Sequence, residues 1–198
     1  MRRTLLTLMA ATSLMIAAGL VNAQTETAKR PEPATAVEKF MARRGRLIIK
    51  DFYEVGTIRS NLVGQLDVKL LVLSAPGATA AEKVFGVKFE RPAVERYESE
   101  GASFLDFDET TAALDALVFM RNLGAKMAGE DHEYTEAIYE TRGGMQIGFF
   151  QTDRKQTAFV EVGGPIGGKP VFMDMDGLSD LENFLRQAVA RLKDMGAK

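Results

Sequence analysis

Two short acidic runs carry the most chemistry per residue in this chain: Asp106-Phe107-Asp108-Glu109-Thr110 and Asp174-Met175-Asp176-Gly177. Carboxylates clustered in this way can hold a divalent cation, and beside a cation a carboxylate can serve as nucleophile or as general acid and base. Asp106, Asp108, Asp174 and Asp176 are therefore the candidate catalytic residues of a metal-dependent hydrolase. Other reactive groups are scarce. The chain has no cysteine, which excludes thiol catalysis, iron–sulfur clusters and thiolate zinc sites. Its one histidine, His132, is flanked by Glu130, Asp131 and Glu133 and reads as a solvated linker residue. A histidine-rich metal site cannot be built within one chain, and a Ser–His–Asp triad has no suitable base.

The first acidic run resembles the DxDxT motif of haloacid-dehalogenase-like phosphatases. The resemblance implies Asp106 as nucleophile on phosphate, Asp108 as general acid and a magnesium ion between them. Such an enzyme needs a parallel sheet that brings a lysine and further carboxylates to the motif. Only 90 residues follow Asp108 and 22 follow Asp176, and the surrounding runs alternate as antiparallel strands do. The alternative reading is scaffolding: Leu105, Phe107, Met173 and Met175 face the core, Asp106 and Asp174 face out, and Asp108 and Asp176 cap helix starts. The Asp-x-Asp-Gly of the second run is similar to a calcium loop, but Phe172 and Asn183 stand where oxygen ligands are needed. The stretch from Gly163 to Lys169 resembles a phosphate-binding loop. Pro170 replaces the required Ser or Thr and a strand is expected to follow instead of a helix, so a hairpin loop is expected. Arg43, Arg44 and Arg46 form a compact basic cluster ahead of the first strand. No motif for a cofactor is complete.

The elements that position these groups follow from periodicity. A short helix is expected from Glu38 to Arg44. Strand-like alternation begins at Arg46 and recurs at Leu66–Leu73, Val84–Glu90 and Ser103–Asp108, bounded by Pro76-Gly77 and Pro92. A helical stripe of Leu114, Leu117, Val118, Arg121 and Ala125 spans Thr110 to Met127, and Gly129 closes it. The order then repeats, with strands at Tyr134–Thr141, Met145–Thr152, Gln156–Val162 and Val171–Asp176 and a helix over Ser179–Met195. The junctions Phe104–Asp108 and Phe172–Asp176 lie 68 residues apart. The fold class expected is α+β: two antiparallel ββββα repeats, residues 38–129 and 130–198, packed as a pseudo-twofold unit. Each four-strand meander has one apolar face, and the two halves bury each other.

Four strands then a helix, occurring twice over residues 46–195, resembles the layout of Whirly-type and Pur-type single-strand nucleic-acid-binding proteins. The resemblance implies DNA or RNA binding on exposed strand faces. This chain departs from that pattern in its charge and its expected compartment.

Arg2 and Arg3, an apolar run from Leu5 to Val21 and small residues at Val21 and Ala23 form the pattern of a secretory signal peptide over residues 1–23. Cleavage after Ala23 leaves 175 of 198 residues, with residues 24–37 as a disordered leader and no membrane span. Arg2 and Arg3 are two of the 25 basic residues, which leaves 23 against 27 acidic, a balance of −4 that disfavours nucleic acid as partner. The expectation is a secreted or periplasmic, non-enzymatic binding or interaction protein for a small molecule or a protein. The alternatives are the metal-dependent hydrolase and an exported single-strand nucleic-acid binder. Oligomeric state is left open.

Overall fold

Alternating apolar residues produce two four-stranded antiparallel meanders, each followed by a helix. The computed structural model describes residues 33–60, 64–93, 101–163 and 168–198; the expected signal peptide and most of the leader lie outside them. After a short helix α1 (Ala36–Met41), the first sheet holds β1 (Ile49–Arg59), β2 (Gln65–Ser74), β3 (Val84–Arg91) and β4 (Gly101–Asp106), side by side in chain order. Helix α2 (Thr110–Met127) leads to the second sheet of β5 (His132–Glu140), β6 (Gln146–Asp153), β7 (Lys155–Val162) and β8 (Lys169–Met173), again in chain order. Helix α3 (Met175–Asp194) ends the fold. The α+β class and both antiparallel sheets are as the sequence indicates. Among the described residues, no helix is long and apolar enough to cross a membrane.

The main core lies between the inner faces of the sheets and the two long helices. Leu66, Val68 and Leu70 of β2, Val87 and Phe89 of β3, Ile147 and Phe149 of β6 and Val160 and Val162 of β7 meet Leu117 and Met120 of α2 and Leu181, Leu185 and Leu192 of α3. Side chains two apart on a strand share a face, and side chains three to four apart on a helix share a stripe. Gly56 of β1 lets α3 approach: a β-carbon there would lie 2.4 Å from the Phe184 ring. Fully buried Gln151 ties the second sheet to the end of α2, its amide donating to the carbonyls of Met127 at 3.4 Å and, just beyond the helix, of Glu130 at 2.8 Å. Between the helices, Glu182 of α3 accepts from Arg121 of α2 at 2.5 Å, and within α3 it accepts from Arg186 at 2.8 Å. Burial opposes its charge, but the two guanidinium groups prevail and hold the carboxyl below its ordinary range.

A second, smaller core covers the outer face of the first sheet, where Val37 and Phe40 of α1 pack on Leu71 and Leu73. The run Leu70–Leu73 is apolar at every position because both faces of β2 are buried. Here the structure differs from the expected leader. Thr35 and Val37 are buried and α1 begins at Ala36; the Thr35–Glu38 capping box together with packing on β2 holds this segment. His132 is likewise no linker residue; it is the first residue of β5, paired with Asp153.

Candidate functional site

The acidic junctions sit where strands turn into helices, but their side chains divide the work differently from the sequence expectation. β4 ends at Asp106, and a 3-10 turn over Phe107–Glu109 separates it from α2. Asp106 does point away from the main core, opposite Gly86 of β3, yet it is only 3% exposed because α1 lies over it. One carboxylate oxygen accepts the Ala36 N–H at 2.6 Å and the other accepts the Val37 N–H at 3.0 Å. Asp106 thus caps a helix 70 residues away in sequence, rather than the one that follows it. Asp108 caps nothing; it is exposed and ion-paired with Arg142.

Arg142, in the β5–β6 turn, gathers this corner. Its guanidinium pairs with Asp108, with Glu109 at 3.2 Å and with Asp106 at 3.6 Å, and its backbone N–H donates to Glu109 at 2.7 Å. The bond to Asp108, opposed by burial and reinforced by Glu109, raises the guanidinium above its already high pKa. Tyr139 is pushed up too, by burial first, then by the charge of Glu109 and a hydrogen bond to it. The corner ties α1, the β4–α2 junction and the β5–β6 turn together.

At the second junction, the strand ends at Met173 and the helix begins at Met175, four residues before the expected Ser179. Asp174 is its N-cap, accepting the Gly177 N–H at 3.1 Å, while Asp176 lies exposed in the first turn. Asp106 and Asp108 line one open cleft, of about 520 Å³, and Asp174 and Asp176 line another, of about 210 Å³. Both sheets are antiparallel, so neither motif stands at the carboxyl edge of a parallel sheet. Among the described residues, no three His, Asp or Glu side chains are grouped to hold a metal ion. The glycine-rich stretch leads into strand β8 at Lys169; residues 164–167 lie outside the described residues.

The outer face of the second sheet is different: it carries a cluster of aromatic rings between polar residues, and nothing among the described residues covers it. Cross-strand pairing sets out its rows. The first is Glu140, Gln146, Glu161 and Pro170; the second is Ile138, Gly148, Phe159 and Phe172; the third begins Glu136, Phe150 and Thr157. Gly148 leaves a gap in the middle row. A β-carbon there would lie 2.9 Å from the Phe159 ring and 2.5 Å from the Ala137 carbonyl oxygen. Phe159 lies down into that gap and is only 6% exposed. Phe150 and Phe172 complete a triangle with it, their ring centres 6.4 and 6.5 Å away, and they meet each other edge-on at 6.4 Å. Tyr134, 58% exposed, stacks on Phe150 at 6.2 Å. Loss of hydration, then the charge of Glu136 and a hydrogen bond to it, raise the Tyr134 phenol above its usual value.

The rings form a ridge between two shallow hollows. One, of about 210 Å³, runs from Tyr134 past Phe159 to Glu136 and Glu161; the other, of about 460 Å³, lies toward Thr152 and Lys155. Pro170 is compatible with the ladder because β8 is an edge strand.

Sequence reasoning did not single out these residues. A signal was present in the pairs Phe149-Phe150, Phe159-Val160 and Phe172-Met173, where alternation fails and both faces of a strand become apolar. The chain has no significant match to a protein-family model, a curated protein or a solved structure.

Proposed function

We propose that this chain is an exported, non-enzymatic binding protein that takes an apolar ligand bearing a positive charge on the outer face of β5–β8. The observation that carries the reading is the uncovered ring platform of Tyr134, Phe150, Phe159 and Phe172, flanked by the carboxylates of Glu136, Glu140 and Glu161. The outer face of the first sheet shows what such a surface does when it serves packing alone: α1 lies on it. Ring faces carry negative quadrupole charge and attract cations by about 0.5–2 kcal/mol, while the apolar body of the ligand gains from leaving water. Carboxylates around the rings strengthen the preference for a cation and disfavour a polyanion. Aromatic strand faces also serve as stacking platforms for single-stranded nucleic acid, but such platforms lie in basic grooves. Export rests on the pattern of residues 1–23.

Calorimetric titration of the chain from Gln24 onward with dodecyltrimethylammonium, below its micelle concentration, tests this reading. Saturable binding is expected, at least about tenfold tighter than dodecyl sulfate. Phe150→Ala is expected to weaken it about tenfold by removing one of the two rings, Phe150 and Phe172, that both hollows share. Equal affinity for the two detergents, or binding indifferent to Phe150, would contradict the reading. Salt-dependent retention of single-stranded DNA would favour the nucleic-acid alternative instead.

A further inference from the structure

A different surface, the free edge of β1, points to self-association. β1 is an edge strand of 11 residues, and its first half is exposed on both faces. Phe52 is 47% exposed, and Ile49 and Tyr53 are exposed as well. Edge strands normally carry charges that repel a second strand. Here the charges on the outer face are Lys50 and Glu54, placed symmetrically about Phe52. Two copies of an antiparallel strand in one sheet are related by an axis normal to that sheet, so outer-face residues meet outer-face residues.

We propose that β1 pairs with β1 of a second copy of this chain, antiparallel and centred on Phe52. In that register Lys50 faces Glu54 of the other copy twice, Phe52 faces Phe52, and on the inner face Asp51 faces Tyr53. Moving the centre by one residue loses the match: centring on Asp51 sets two carboxylates opposite each other, and centring on Tyr53 sets Glu54 against Phe52. The charge pattern therefore selects one register. Lys50 has no ion-pair partner among the described residues, whereas Glu54 already shares Lys69 at 3.3 Å. Arg191 of α3 takes the Glu54 carbonyl at 2.7 Å, which ends the free ladder at that residue. The product is a continuous eight-stranded sheet with the two α1 helices on one face.

Sedimentation velocity of the mature chain at about 50 µM tests the proposal, since a small interface of this kind gives micromolar association. A concentration-dependent dimer is expected. Lys50→Glu and Glu54→Lys each set like charges opposite one another twice, so each alone is expected to weaken the dimer at least tenfold. An equimolar mixture of the two variants restores opposite charges and is expected to form a heterodimer. The mixture also separates interface loss from misfolding, since a misfolded variant cannot be rescued by its partner. A wild-type chain that stays monomeric, single variants that dimerise as well as wild type, or a mixture that stays monomeric would each overturn the proposal.

Discussion

Asp106→Ala is expected to lower the free energy of unfolding by about 3 kcal/mol, and Asp108→Ala by less than about 1 kcal/mol. The two residues stand two apart in one acidic run, so a catalytic pair would make them equal partners. Their surroundings make them unequal. Asp106, itself buried, accepts two backbone N–H groups of α1 and stands 3.6 Å from the half-exposed Arg142 guanidinium. Alanine there leaves the Ala36 and Val37 N–H groups without their acceptor, and an unsatisfied buried donor costs about 1–3 kcal/mol. The loss propagates, because α1 is six residues long and cannot persist without its cap and its packing. Leu71 and Leu73 would then be exposed. Denaturant unfolding gives the free energy, and hydrogen exchange should show lost protection at Val37 to Phe40 while α2 and α3 keep theirs. Asp108 is solvated, and its bond to Arg142 is screened by water. Equal destabilisation by the two substitutions would contradict this account of the corner.

Gly148→Val is expected to cost about 2–3 kcal/mol and to abolish the ring platform. The Ala137 carbonyl oxygen, 2.5 Å from the added β-carbon, is backbone and cannot rotate away. Phe159 could move only by standing up from the gap, which separates it from Phe150 and Phe172. The substitution should thus lower stability and detergent binding together. Phe150→Ala, by contrast, removes a half-exposed ring and should act mainly on binding. The comparison is made by denaturant unfolding of each variant beside its calorimetric titration.

Much of the architecture was legible. Val68 and Leu70 alternate with charged residues, Gly77 makes its turn at a φ of 76°, and α2 runs from Thr110 to Met127 as its stripe requires. The apolar stripe, which begins at Leu178, places the start of α3 too late. The N-cap at Asp174 instead starts the helix at Met175, which lies against the core at its margin. A short helix near α1 was legible, and Thr35 and Glu38 supply its local capping box, but its docking was not: Asp106 adds acceptors for its first N–H groups from 70 residues away, and no local pattern encodes such a contact. The acidic junctions were correctly placed at strand-to-helix corners, but the capping roles fell to Asp106 and Asp174 rather than Asp108 and Asp176. The ring platform escaped notice for a related reason. Gly148, Phe159 and Phe172 are neighbours only through strand pairing, and pairing is known only once the register is.

The aromatic face is the element on which the functional reading stands. Its most direct test is a backbone amide NMR titration of the mature chain with dodecyltrimethylammonium below its micelle concentration. The account predicts saturable shifts centred on Tyr134, Gly148, Phe150, Phe159 and Phe172, with the amides of Asp106, Asp108 and Arg142 unmoved. Shifts centred instead on the cleft beside Asp108, or spread over the surface without saturation, would contradict it.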